Sequence, residues 1–264
     1  MRGGTQSHLF AASDGQYYVV KFSNNPLGPR LLANEVICSR LLRAIDIRVP
    51  ENACIRIPDA LAEHPEVGIR KRDRRERPAP GLHFGSSMPC DPRRSSLFDF
   101  VPRSVVASIE NADDFVGVLI ADLWLGNADM RQAVYSRSPA GRWQATFIDH
   151  GMCLGGPDWQ LYISSARIPS PEQRFHLQGT TENDWLPWLE KIRALPGDLF
   201  EALLEEIPAE WLAASDVLEL QRLLVRLSRE REFLSQRIAQ ALSFAKNYRR
   251  EPSRMDAPPV FAPA

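Results

Sequence analysis

Two acidic residues, each placed at a turn after an apolar segment, constrain the fold of this chain most. The stretch WLGNADMRQAVY, residues 124–135, places Asp129 in a Gly-Asn-Ala-Asp turn at the end of a helical pattern. The stretch FIDHG, residues 147–151, places Asp149 at the end of an apolar strand and just before His150 and a glycine. Two interpretations are open: separate surface turns in which each Asp caps its own turn, or one phosphate and metal site.

The composition is that of a folded protein with one large or two small lobes. The chain has 264 residues, of which 44% are hydrophobic and 25% charged, so it holds enough apolar material for a core. Lys and Arg number 32 and Asp and Glu number 33, which gives a formal charge of -1. Because this balance provides no general attraction for polyanions, we expect neither nucleic acid nor a membrane surface as a partner.

The cysteines and the apolar runs exclude further classes of protein. Four scattered cysteines, without a C-x-x-C pair or a histidine at ligand spacing, predict neither a disulfide framework nor a zinc site. No apolar run approaches the roughly 18 residues of a membrane span. The start MRGGTQSHLF lacks the pattern of a secretory signal, so we expect a cytoplasmic protein.

Pattern changes along the chain divide it into three parts and a tail. The predicted parts are a small β-rich lobe at residues 1–70, linker or hinge loops at 71–96, a mainly helical lobe at 97–250 and a disordered tail at 251–264. In the first lobe, HLFAASDGQYYVVKF predicts a β-hairpin that turns at Asp14-Gly15 and ends on Lys21. The following LLANEVICSRLLRAI predicts a helix with Glu35 in its first half.

The remaining segments are assigned from turn residues and periodicity. Four prolines and two glycines after the charged run KRDRRER predict loops, and the run itself is interpreted as a solvated loop or as a docking patch for nucleic acid or protein. In the second lobe, residues 104–127 predict a helix and WQATFID a buried strand. Residues 182–249 predict helices with breaks at Pro187, Pro196 and Pro208.

Several residues of the first lobe have the chemistry of a nucleotide site. Gly3 and Gly4 precede a strand, where a flexible turn can wrap an anion with its backbone N–H groups; the alternative is a flexible terminus. A lysine at a strand end, such as Lys21, is usually solvated, but a carboxylate on the next helix, such as Glu35, can hold its ammonium toward the phosphates of a nucleotide. The alternative for Glu35 is the exposed face of an amphipathic helix.

The second lobe supplies the oxygen atoms that such a site needs. Phosphoryl transfer requires a carboxylate near the attacking hydroxyl, oxygen ligands for Mg²⁺ and a cation. Asp129, Gln132 and Asp149 offer those oxygens, and Lys21 offers the cation. The order of these residues along the chain favours one phosphate site over unrelated turns.

These motifs together resemble those of a known family. GGTQSHLF, YYVVKF, NEVICSRLL, PGLHFGS, LGNADMRQAVY and FIDHG are similar to the compact bacterial branch of the HipA-like kinases, over residues 1 to about 175. GNAD and IDHG are more distantly similar to the catalytic and metal-binding loops of phosphatidylinositol kinases. The resemblance implies an α+β, two-lobed protein-kinase-like fold that binds ATP and Mg²⁺ between its lobes.

The resemblance also implies a role for each residue of the first lobe that was singled out. Gly3 and Gly4 would belong to the loop that covers the phosphates. Lys21 would contact the α- and β-phosphates, and Glu35 would pair with Lys21.

In the second lobe the implied roles come with two departures from the family pattern. Asp129 would orient the acceptor hydroxyl or take its proton, and Asp149 would bind the metal. Arg131 stands where relatives commonly have histidine, and we expect it to contact phosphate. Val134 stands where a metal-binding asparagine is usual, so Gln132 is expected to be the second ligand.

The function implied is an ATP-dependent phosphotransferase acting on a Ser or Thr hydroxyl of a protein. One alternative is a pseudokinase that holds nucleotide without transferring phosphate, and another is a regulator that acts through protein contacts alone. A partner antitoxin is expected only by analogy with the larger toxin of the family. His150 is placed either to touch the metal loop or to pack beneath it, as the phenylalanine of a kinase DFG motif does.

Overall fold

The chain forms a small lobe built on a β-sheet, followed by a mainly helical lobe. This computed structural model describes residues 4–71, 74–161, 173, 175–176, 180–236 and 238–240. None of the described helices is both long enough and apolar enough to cross a membrane. The elements are β1 His8–Ala11, β2 Tyr17–Lys21, α1 Arg30–Ala44, β3 Asn52–Arg56, α2 Asp59–Ala62, β4 Ile69–Lys71, β5 Arg74–Glu76, β6 Leu82–Ser87, α3 Arg103–Val106, α4 Asp114–Leu125, β7 Gln132–Arg137, β8 Trp143–Ile148, α5 Glu182–Arg193, α6 Gly197–Glu205 and α7 Ala214–Glu230.

The central sheet of the small lobe has four antiparallel strands in the order β1-β2-β6-β3. The β-hairpin predicted at Asp14-Gly15 is confirmed, and Gly15 has the positive φ of +80° that such a turn requires. Cross-strand pairing of His8 with Val20 fixes the register. The loop before β1 therefore lies at the end of the sheet that carries Lys21.

The prediction of loops throughout residues 71–96 is wrong, because β6 lies there and is a central strand of the sheet. The sequence predicts a turn at Gly85, a residue of this strand. A Cβ on Gly85 would lie 2.5 Å from Cγ1 of Ile55, so this glycine serves close packing against β3 and not a turn. The charged run also contains β5, which pairs with β4 in a separate hairpin.

Helix α1 packs against both lobes and is buried on more than one face. It contacts β6 of the small lobe and α4 of the helical lobe. Beside its apolar residues, the polar side chains of Asn34, Glu35 and Ser39 are buried. The alternative of an exposed Glu35 on an amphipathic helix is thus excluded, since the residue is 2% exposed.

The helical lobe is organised around α4, whose twelve residues are all buried. The predicted helix at 104–127 is divided into α3 and α4, and α4 ends at Gly126, which adopts the left-handed conformation with φ +58°. Indole Nε1 of Trp124 donates to the backbone oxygen of Leu227 at 3.0 Å and so joins α4 to α7. A Cβ on Gly117 would lie 2.5 Å from Trp188, which shows how closely α5 approaches.

The predicted helices that follow are present with one correction. Pro196 and Pro208 directly precede helical segments, as expected of breaks, but Pro187 lies inside α5. A proline removes one backbone donor from the helix, and the buried residues Trp185 and Trp188 beside it keep α5 packed. Residues 241–249 of the predicted helices and the tail at 251–264 lie outside the described residues.

A β-hairpin returns the chain from the first acidic turn to the second. The strand predicted at WQATFID is confirmed as β8, and it pairs antiparallel with β7. The register opposes Gln132, the first residue of β7, to Ile148, the last of β8. This pairing brings Asp149 back beside the turn that holds Asp129.

Candidate active site

Three charged side chains from three different elements meet between the lobes. Lys21 ends β2, Glu35 lies on α1 and Asp149 follows β8. The Lys21 ammonium donates to Oε1 of Glu35 and, at 2.9 Å, to Oδ1 of Asp149. Lys21 is 7% exposed, whereas the side chain of Asp149 keeps 37% of its surface open to solvent. The Asp149 side chain is therefore the part of the trio that is accessible to a ligand.

The three charges control one another's ionisation. Burial by itself lowers the pKa of Lys21, but Glu35 and Asp149 outweigh it and hold that pKa above its ordinary value. For Asp149, burial raises the pKa, and the opposing charge of Lys21 brings the net value below the ordinary one. At neutral pH the site thus presents an ammonium and an ionised carboxylate side by side.

Glu35 also holds the loop that carries Asp149. Its Oε2 accepts from the backbone N–H of His150 at 2.9 Å and its Oε1 from that of Gly151 at 3.0 Å. Asp149 itself has a φ of +60°, a left-handed conformation that Asp tolerates better than most residues. The Glu35 carboxylate therefore fixes both the ammonium and the backbone that aims Asp149.

Asn34, one residue before Glu35, also holds the loop after Asp149. Nothing in the sequence around Asn34 indicates this role. Its buried Nδ2 donates to the backbone oxygens of Gly151 at 2.8 Å, Cys153 at 3.0 Å and Gly156 at 3.0 Å. A Cβ on Gly151 would come within 3.0 Å of Leu31. The loop after Asp149 is thus packed directly onto α1, and a larger residue at position 151 would have to displace the Leu31 side chain.

The turn that bears Asp129 is built on a buried asparagine. Asn127 accepts from the backbone N–H of Asp129 at 3.0 Å through Oδ1 and donates to Oδ1 of Asp122 at 2.9 Å through Nδ2. The N–H of Ala128 donates to the oxygen of Met152 at 2.9 Å, which ties this turn to the loop after Asp149. The Asp129 residue itself is exposed. Its Oδ1 accepts from the backbone N–H of Met130 at 2.7 Å, so the turn holds this carboxylate at the surface.

The structure corrects the prediction that Arg131 contacts phosphate. Its guanidinium forms an ion pair with Asp122 of α4, and the two side chains are only 1% and 0% exposed. The same group donates to the oxygen of Ile148 at 3.3 Å and faces Nδ1 of His150 at 2.6 Å. Burial opposes the Arg131 charge, but Asp122 outweighs burial and raises its pKa. Arg131 thus joins the two loops from inside and does not face the cleft.

His150 packs beneath the loop, as one of its two interpretations expected. The residue is 2% exposed, and burial followed by the charge of Arg131 holds its pKa well below the usual range. The imidazole is therefore neutral, and its Nδ1 accepts from Arg131.

Gln132 is placed beside Asp149, and Val134 is not. The Gln132 amide nitrogen lies 3.2 Å from Oδ2 of Asp149, and Gln132 is exposed. Val134 is 9% exposed and part of the buried face of β7. Among the described residues, no three His, Cys, Asp or Glu side chains cluster as a metal centre. Asp149 and Gln132 are the side chains that would offer oxygens to a Mg²⁺ ion beside those of a nucleotide, a donor set that suits it.

Of the two glycines expected to cover phosphates, only one can be placed. Gly3 lies outside the described residues. Gly4 is exposed in the loop before β1, at the same end of the sheet as Lys21. A Cβ on Gly4 would lie 3.3 Å from Cδ1 of Leu27. The loop is thus at the correct end of the sheet for a contact with phosphate.

The sequence of this chain matches the profile of a known protein family. The profile of the HipA-like kinase family matches residues 1–140, more than half of the chain. The chain is a HipA-like kinase family member. No curated protein matches it significantly.

Two solved structures show the same overall fold. The Helicobacter pylori proinflammatory kinase CtkA superposes with a TM-score of 0.57 at 14% identity, over 94% of this chain and 95% of that one. HipA of Shewanella oneidensis MR-1, solved with HipB and operator DNA, gives a TM-score of 0.52 at 13% identity over 94% and 67% of the two chains. This HipA-like chain therefore has a kinase-like fold, as the sequence motifs implied.

Proposed function

We propose that this HipA-like protein is a Mg²⁺- and ATP-dependent protein kinase that phosphorylates a Ser or Thr hydroxyl. The observation that carries the proposal is the meeting of Lys21, Glu35 and Asp149, in which Lys21 and Asp149 lie 2.9 Å apart. A paired lysine and a neighbouring acid at the end of a strand are the parts that kinases use on nucleotide phosphates. Family membership and the kinase-like fold support the same reading.

Each side chain has a separate task in this reaction. Lys21 contacts the α- and β-phosphates of ATP, while Glu35 keeps the ammonium in place. Asp149 and Gln132 hold Mg²⁺, which offsets the negative charge of the β- and γ-phosphates when it is bound. The loop at Gly4 covers the phosphates from the small lobe.

The transfer step uses the exposed carboxylate of Asp129. The acceptor oxygen attacks the γ-phosphorus, and the bond from that phosphorus to the β,γ-bridging oxygen breaks with its electron pair going to ADP. The acceptor proton passes to Asp129. Asn127 and Asp122 hold this turn through the hydrogen bonds described above, so the carboxylate is positioned before the acceptor arrives.

The test measures Mg²⁺-dependent transfer from radiolabelled ATP to the chain itself and to mixed Ser and Thr peptides. We expect transfer by the parent and a fall of about 10²–10⁴-fold in Asp129→Asn. Asp149→Asn should be inactive at ordinary Mg²⁺ concentrations. Asp158→Asn makes the same chemical change at an exposed residue after the loop and should keep full activity.

A nucleotide-binding pseudokinase is the second candidate, and the buried Val134 favours it. A valine in place of the usual asparagine leaves Gln132, a longer side chain, as the second ligand. This candidate predicts that ATP raises the melting temperature by linkage while no phosphate moves. A parent protein that shows neither a thermal shift nor transfer under broad metal and substrate trials would contradict both candidates.

A further inference from the structure

The hairpin formed by β4 and β5, here called the basic hairpin, concentrates positive charge in an unusual way. Arg70 pairs across the strands with Arg75, and Lys71 with Arg74. Residues directly opposite each other in an antiparallel pair lie on the same face, and like charges there are destabilising. The basic hairpin thus carries a cation pair on each face, an arrangement that weakens the strand pairing.

Most of this charge is left uncompensated within the part of the chain that the structure describes. Lys71 is the one cation of the four with an ion pair there, at 2.9 Å from Oε2 of Glu76. Arg70, Arg74 and Arg75 are exposed, and no described carboxylate lies within 4.0 Å of their guanidinium groups. Three arginine forks therefore face solvent on a hairpin of two short strands.

The basic hairpin is attached to the loop that is proposed to cover the phosphates. Oε1 of Gln6 accepts from the backbone N–H of Arg70 at 2.6 Å, and Nε2 of Gln6 donates to the Arg70 oxygen at 2.7 Å. Gln6 lies between Gly4 and His8, and His8 pairs with Val20 beside Lys21. The exposed arginines thus stand on a hairpin that is tied to the loop before β1, at the end of the sheet that carries Lys21.

We propose that the basic hairpin docks an acidic segment of the protein acceptor, a proposal that rests on the proposed kinase function. Arginine forks match carboxylates in a bidentate geometry. A strand of three residues spans roughly 10 Å, the length of about three residues of extended peptide. A peptide is favoured over nucleic acid because the net charge of -1 gives the chain as a whole no general attraction for a polyanion.

The experiment measures binding directly, without ATP. A short fluorescein-labelled peptide of glutamates around one serine is titrated with the full chain and followed by fluorescence anisotropy. The variant Arg70→Gln/Arg75→Gln removes one cation pair, and Arg222→Gln/Arg229→Gln removes the same charge from exposed positions on α7. The same peptide with glutamine in place of glutamate reports binding that does not depend on charge.

We expect the hairpin variant to bind the acidic peptide at least about tenfold more weakly than the parent, from the loss of charge-assisted hydrogen bonds. The α7 variant should bind like the parent. The melting temperature of the hairpin variant should equal or exceed that of the parent because repulsion is relieved, which separates docking from a structural role. Should the double variant fail to fold, Arg74→Gln alone is compared with Arg222→Gln alone.

Three results would overturn the proposal. They are no binding of the acidic peptide by the parent, equal binding by parent and hairpin variant, or hairpin-dependent binding of oligothymidylate at least as tight as that of the peptide. Asp149→Asn should retain peptide binding, since the basic hairpin does not include the metal ligands. If the parent binds the acidic peptide but transfers no phosphate, that result counts against the kinase function and not against the docking surface.

Discussion

The ammonium of Lys21 lies 2.9 Å from Oδ1 of Asp149, although 128 residues separate the two along the chain. Glu35 completes the arrangement by accepting from Lys21 and from the backbone of the loop after Asp149. The three residues come from a strand of one lobe, a helix between the lobes and a loop of the other. Substitutions in this trio should therefore change both stability and activity.

Lys21→Met should destabilise the protein and abolish phosphoryl transfer. It leaves the buried Glu35 beside Asp149 without the cation that compensates them, and breaking a buried pair costs about 3–5 kcal/mol. Urea unfolding checks the free energy, and radiolabelled transfer checks the activity. Lys71→Met removes a lysine from a partly exposed pair and should change the free energy by less than about 1 kcal/mol. A Lys21→Met variant as stable as the parent would show that the trio does not hold the lobes together.

Asp122 and Arg131 should show strong energetic coupling in a double-mutant cycle. Either Asp122→Asn or Arg131→Met alone leaves a buried group without its partner and should cost about 3–5 kcal/mol. The variant Asp122→Asn/Arg131→Met should lose less than the sum of the two single losses. The exposed pair of Glu63 and Arg77 provides the control, and its cycle should give little coupling.

The substitutions of Asp122 and Arg131 should also reduce the rate of phosphoryl transfer. Asp122 holds the turn of Asp129 through Asn127, and Arg131 contacts the backbone oxygen of Ile148 and the imidazole of His150 on either side of Asp149. We expect the double variant, where folded, to lose kcat more than ATP affinity, because the two carboxylates lose their common support. A variant with parental kcat would limit the pair to a role in stability.

Two buried histidines should make stability fall as the pH drops below neutrality. Burial lowers the pKa of His83 to about 4 and that of His150 well below its ordinary value of 6.5. Below pH 6.5 the unfolded chain binds protons that the folded chain does not, so stability is complete above pH 6.5. For His83 it is lost progressively down to about pH 4, with a slope of about 1.4 kcal/mol per pH unit.

Urea unfolding between pH 7.5 and 4.5 checks this dependence. His83→Gln should reduce the slope by about one proton below pH 6.5, and His150→Gln should do the same while also weakening the contact with Arg131. His64→Gln changes an exposed histidine and should leave the slope as in the parent. Identical slopes in all four proteins would mean that neither buried imidazole is neutral in the fold.

The sequence predicted the chemical groups of the site better than the groups that position them. Lys21 and Asp149 could be anticipated because each stands where an apolar strand meets a turn, and Glu35 because it lies early in the helix that follows Lys21. Asp122 could not, since a polar residue in an otherwise apolar helical pattern gives no indication of its partner. Asn34 could not either, since its partners are backbone oxygens more than 100 positions away in the sequence. Arg131 was assigned to the cleft because a sequence does not show which side of a loop a side chain takes.

The fold shows the same division between local and long-range information. The turn at Gly15 was predictable because its conformation is set by two adjacent residues. Strand β6 was missed because Gly85 is explained only by Ile55 on the neighbouring strand, 30 positions earlier in the sequence. Pro187 predicts a helix break, but α5 continues through it, because the tertiary packing that stabilises α5 is not visible in its own sequence.

Gln132→Ala should raise the Mg²⁺ concentration needed for half-maximal activity. The Gln132 amide lies beside Asp149, and the loss of one ligand to a charged centre should weaken binding by about 1.5–3 kcal/mol, or at least roughly tenfold. Gln132→Asn keeps the amide but shortens it, so we expect a smaller increase. Activity measured across a Mg²⁺ titration at saturating ATP provides the comparison. Gln144→Ala, on β8 of the same hairpin and bonded to Glu110, should leave the titration unchanged. If Gln132→Ala titrates like the parent, the metal is held without this side chain, and the role assigned to Gln132 is wrong.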